Sequence, residues 1–114
     1  MEPGAATGSA SMVKLVALYG VPTDPAAFEA YYRETHMPIA LSIPGLIRGE
    51  TARMLSTAEG EAAPFYRVAE LGFADMADLQ AGAASAEGQA TLADLANFAG
   101  AGVDMATGTS RQIV

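Results

Sequence analysis

The chain has no cysteine, no tryptophan and one histidine, and only six basic residues stand against thirteen acidic ones. Without cysteine there is no disulfide framework, no thiolate nucleophile and no thiolate-bound metal. With a single histidine, a zinc site built from Cys and His ligands is not expected either. The six cations (Lys14, Arg33, Arg48, Arg53, Arg67 and Arg111) are scattered through a chain of net charge −7. No basic stripe is present to neutralise phosphates, so neither nucleic acid nor an anionic membrane surface is an expected partner. No run approaches the roughly 20 apolar residues of a membrane span. The N-terminus has neither the basic nor the apolar region of a secretory signal, and the expectation is a soluble cytoplasmic protein. Glycine-rich nucleotide-binding patterns are missing. Ser11 and Ser85 have no histidine at a spacing that suggests a triad.

What is present is apolar material: 51% of the 114 residues are hydrophobic, enough for one core. Residues 1–11 are small and polar without a period and read as a disordered tail, which leaves 12–114 as the domain. Residues 12–20 read as a first strand. Its two alternation sets are Val13, Leu15, Ala17 and Tyr19 on one side and Val16 and Leu18 beside Lys14 on the other. A strand apolar on both sides is covered on both sides.

Asp24 then Pro25 marks a helix start: the Asp side chain accepts from free N–H groups, and proline has none to lose there. Phe28, Tyr31, Tyr32, Thr35 and His36 fall on one helical face, and Glu29 and Arg33 stand at i,i+4 as an ion pair. Pro38 is expected to end the helix near Met37, with one short turn over 38–43. A second strand over 46–57, an acidic loop containing Gly60 and a third strand over 65–73 follow. Asp75 caps a second helix to about Ala84. Ser85 caps a third, in which Leu92, Leu95 and Ala99 recur, and Gly100 and Gly102 stop it. A last strand over 103–114 completes the order β-α-β-β-α-α-β. This is the split βαβ arrangement of a ferredoxin-like α+β fold with an antiparallel sheet. The second apolar face of strand 1 then predicts a homodimer packed sheet to sheet, a dimeric α+β barrel, with the last strand reaching the partner.

The stretch 28–39, Phe-Glu-Ala-Tyr-Tyr-Arg-Glu-Thr-His-Met-Pro-Ile, resembles the motif of the EthD family within the dimeric α+β barrel superfamily. Ile43-Pro44-Gly45-Leu46, Glu87-Gly88-Gln89-Ala90 and Asp94-Leu95-Ala96-Asn97-Phe98 are similar to its later segments at consistent spacing. The family takes its name from a protein encoded among genes for ethyl tert-butyl ether degradation. Its wider relatives include cofactor-independent monooxygenases, polyketide cyclases, lactone isomerases and haem-degrading proteins. The resemblance implies a dimer with a pocket for a hydrophobic aromatic or polyketide-like small molecule.

His36 is the leading candidate. An imidazole facing inward at a helix end can shuttle protons, polarise a carbonyl or ligate haem iron; it can equally cap the helix. Tyr32, one turn earlier, is expected to orient it or donate to a substrate oxygen, the other role being core packing. Tyr19, Phe28, Tyr66 and Phe98 are the expected substrate-lining set, each with packing as its alternative. Glu70, a carboxylate in mid-strand, is expected to pair with Lys14 or Arg48. The function expected is a cofactor-independent enzyme with His36 as acid/base. The alternative is a non-catalytic protein that binds a small ligand or haem.

Overall fold

The computed structural model describes residues 11–114, so the expectation of a tail lies outside the described residues except at Ser11, which is exposed. The elements are β1 (Met12–Tyr19), α1 (Pro25–Tyr31), a π-helical turn (Tyr32–His36), α2 (Met37–Ala40), β2 (Arg48–Arg53), β3 (Arg67–Phe73), α3 (Met76–Ala84), α4 (Ala86–Phe98) and β4 (Val103–Ser110). All strand pairs are antiparallel in the order β2-β3-β1-β4. This is the ferredoxin-like α+β fold. Among the described residues no helix is long and apolar enough to cross a membrane.

Three helix starts follow the side chains that mark them. Asp24 Oδ1 accepts from Ala27 N, Asp75 Oδ1 from Asp78 N, and Ser85 Oγ from Gly88 N. α3 and α4 meet at a corner where only glycine fits. A Cβ on Gly88 would stand 2.1 Å from the Gly82 carbonyl oxygen.

Four local expectations are corrected. Pro38 does not end the helix: Met37 keeps αR geometry, and its N–H bonds the Tyr32 carbonyl across a π turn. The wider turn admits a proline that an unbroken α-helix would not hold at that point. Thr35, expected on the inner face, is carried outward by the same turn and is exposed. Glu29 does not pair with Arg33. It binds Arg67 through both carboxylate oxygens, while Arg33 bonds Glu34. Strands 2 and 4 are also shorter than expected, because Leu55 and Ile113 lie beyond the sheet and stand exposed.

One sheet face carries the helices. Tyr19, Ala69, Phe28, Tyr32 and Tyr66 form one buried cluster, and Ile43, Leu71, Phe73 and Leu79 form another. The other face aligns Val16 with Glu70 and Ala106, and Leu18 with Val68 and Asp104. Lys14 on that face donates to Glu70 at 2.8 Å, the expected pair. Among the described residues no helix covers Val16, Leu18 and Val68, which are half-buried.

Candidate functional site

The π turn sets the site. It follows Tyr31 directly and carries Tyr32 and His36 at its two ends, the last two with rings stacked at 5.8 Å. His36 is 3% exposed, and its Nδ1 lies 2.9 Å from Asp94 Oδ2 on α4. Asp94 Oδ1 accepts from the Tyr31 hydroxyl at 2.6 Å and from Asn97 Nδ2 at 2.9 Å. Burial alone would favour the neutral acid at Asp94. The donors Tyr31, Asn97 and His36 outweigh it and hold the carboxyl below the ordinary carboxylate range. An ionised carboxylate only accepts, so Nδ1 carries the hydrogen, and Nε2 is the nitrogen at which the ring gains or loses a proton.

Nε2 faces a cavity of about 60 Å³ between the sheet and the helices, with a lining that is almost wholly apolar. The Tyr19 hydroxyl on the same wall stands 3.5 Å from Nε2, long for a direct hydrogen bond. Burial, with the neighbouring Tyr32 and Asp94, pushes the Tyr19 hydroxyl far above its usual range, so it stays protonated and available as a donor. The Tyr32 hydroxyl donates to Thr51 Oγ1 at 3.1 Å, and Thr51 passes its own hydrogen to the Val68 carbonyl. Arg67 also donates to Thr51 and stands 5.0 Å from the centre of the Tyr32 ring. Tyr32 is therefore held from both sides.

The structure thus brings His36, Tyr32 and Tyr19 together at one cavity. Phe28 and Tyr66 lie behind them in the aromatic cluster, their rings 5.2 Å apart. Phe98 packs on His36 at 4.6 Å and lines an outer groove shared with Tyr31 and Asn97. Sequence reasoning missed Asp94 because it built the apolar stripe of α4 on Leu92, Leu95 and Ala99 with Phe98 beside them. The face that turns inward holds Thr91, Asp94, Leu95 and Phe98, and Leu92 is 45% exposed. An acid in step with an apolar stripe was the signal. The cavity beside His36, about 60 Å³, is far smaller than a porphyrin. Among the described residues, no group of three or more His, Asp or Glu is placed to hold a metal.

All four tyrosines are pushed above the ordinary value of about 10, Tyr19, Tyr32 and Tyr66 first by burial and Tyr31 first by its bond to Asp94. The unfolded chain would release these protons above that pH while the native chain keeps them, so stability falls as pH rises past it. With no tryptophan to interfere, an absorbance titration should show the tyrosinate signal displaced above the ordinary value of about 10, with Tyr19 ionising last. A titration in which all four tyrosines ionise together at the ordinary value in the folded protein would contradict this account of the site.

A family model described as the EthD domain matches residues 21–102. An 11.0 kDa protein of Rhodococcus erythropolis, encoded in the thcB–thcC intergenic region, is 37% identical over 94 residues, which span 82% of this chain and 90% of that one. The crystal structure of an EthD-family protein of Bacillus halodurans, also 37% identical, matches with a TM-score of 0.81 over 85% of this chain and 96% of its own. SnoaB of Streptomyces nogalater, a cofactor-independent oxygenase, shares the fold at 20% identity, with a TM-score of 0.65 over 90% of this chain and 96% of that one. Motif, fold and relatives agree: this chain belongs to the EthD family.

Proposed function

We propose that the chain is a cofactor-independent enzyme that moves a proton on the reacting end of a hydrophobic small molecule. The observation that carries this is a buried imidazole whose Nδ1 is fixed by Asp94 and whose Nε2 opens onto an apolar cavity beside a protonated tyrosine. A histidine so held is a general base, and the carboxylate stabilises the imidazolium that forms. Nε2 takes a proton from an acidic C–H or O–H of the substrate. The electron pair of the broken bond moves to an enolate or phenolate oxygen, which accepts from the Tyr19 hydroxyl. Return of the proton to another atom completes an isomerisation; attack of the carbanion on a second carbonyl carbon of the same molecule, with the proton returned to the alkoxide so formed, closes a ring. Oxygenation, the activity named for SnoaB, would add dioxygen as the oxidant of that carbanion. The cavity accepts the reacting end of an aromatic or polyketide-like molecule, the rest lying outside.

A panel of enolisable ketones in D2O tests this. Wild type should accelerate deuterium uptake by about 10²–10⁴ over His36→Gln. If uptake matches buffer for the whole panel while the His36 ring resonances still respond to ligand, the chain is the alternative, a binding protein.

The open sheet face supports a second proposal, a homodimer in which the rows through Val16 and Leu18 pack against the same rows of another copy.

A further inference from the structure

We infer that the cavity takes only uncharged molecules, binds them through one hydroxyl or carbonyl group set between Tyr19 and His36, and is entered between Leu92 and Met105. This rests on the assignment of those two residues as the site.

The Tyr19 hydroxyl and His36 Nε2, side by side on the wall, are the polar point of the cavity. At 3.5 Å the two groups are too far apart to satisfy one another well. An oxygen placed against both can accept from the tyrosine and, if it carries a hydrogen, donate to Nε2. The other polar side chains on the wall are already engaged: Tyr32 donates to Thr51, and Thr91 donates to the Glu87 carbonyl. One oxygen is therefore served, and the rest of the ligand meets apolar surface. A volume of about 60 Å³ holds roughly four to six non-hydrogen atoms, at ~10–15 Å³ for each water-sized group.

Charge is excluded in both signs. Among the described residues no lysine or arginine lines the cavity. The nearest candidate, Arg67, is bound by Glu29 and lies against the Tyr32 ring. An anion would lose its hydration for one tyrosine donor with Asp94 close behind the imidazole. A cation would find no free carboxylate, because Asp94 already accepts from three donors.

The mouth is read from exposure. Leu92 on α4 and Met105 on β4 both line the cavity, yet are 45% and 40% exposed. They are the lining side chains that also reach solvent extensively, an apolar entrance at the edge strand.

Four probes of one shape and four non-hydrogen atoms isolate charge: 2-propanol, acetone, acetate and isopropylammonium. The single histidine makes its ring resonances unambiguous in NMR. The neutral pair should shift them saturably, and each ion should bind at least tenfold more weakly. A smaller gap for either ion, or no response to the neutral pair, overturns the proposal. Leu92→Trp and Met105→Trp alter exposed side chains and should each weaken or slow the 2-propanol response. An unchanged titration in either variant overturns the assigned mouth. Binding is read without turnover, so failure of deuterium exchange leaves this result standing, and failure here leaves exchange to be judged separately.

Discussion

Asp94→Asn should abolish proton transfer while the protein stays folded. Two donors, Tyr31 and Asn97, converge on Oδ1, and His36 alone faces Oδ2. In the variant the amide oxygen is held by the two donors, which turns the amide NH2 toward His36. Nδ1 must then accept, and the hydrogen moves to Nε2, where the lone pair had faced the cavity. Deuterium uptake should fall by about 10²–10⁴, and nitrogen-15 shifts of the ring should report the exchanged tautomer. Loss of the charge-assisted bonds should cost about 2–3 kcal/mol of stability. The pH dependence has a defined sign. The native carboxyl sits below the unfolded value of about 3.9, so its stabilisation is present above that pH and is lost as pH falls through the native pKa. The variant should lack that acid-side loss. An unchanged tautomer with unchanged exchange would remove Asp94 from the mechanism.

Leu18→Arg should convert the proposed dimer to a folded monomer. Leu18 lies on the open face between Val68 and Asp104 in the cross-strand row. In the monomer an arginine there can reach water and pair with Asp104. In a two-fold interface it would be buried twice without a partner in the second sheet. The dissociation constant should rise by at least about a thousandfold, which corresponds to roughly 4 kcal/mol. Light scattering gives the mass, and circular dichroism checks that the fold remains. A variant that keeps the wild-type mass would show that this face is not the interface.

Much of the fold was legible because it rests on local chemistry. Asp24 with Pro25, Asp75 and Ser85 mark helix starts through bonds made within a few residues, and the alternation along β1 marks its two faces. The continuation through Pro38 was not legible, since the local preference against αR before proline ignores the π turn that relieves it. Glu29 shows the same limit. At i,i+4 from Arg33 it reads as a surface pair, but a buried guanidinium on β3 offers two bonds and wins.

By itself the sequence determined the order of elements, the inward histidine with Tyr32 beside it, and a basic partner, Lys14 or Arg48, for Glu70. These follow from short-range periodicity, capping and the alternation of a strand. Only the tertiary structure decided what His36 can do. Asp94 lies 58 residues further along the chain, and Tyr19 reaches the same ring from β1. Such contacts are set by how α4 packs against the π turn and the sheet, a long-range outcome that no local pattern encodes.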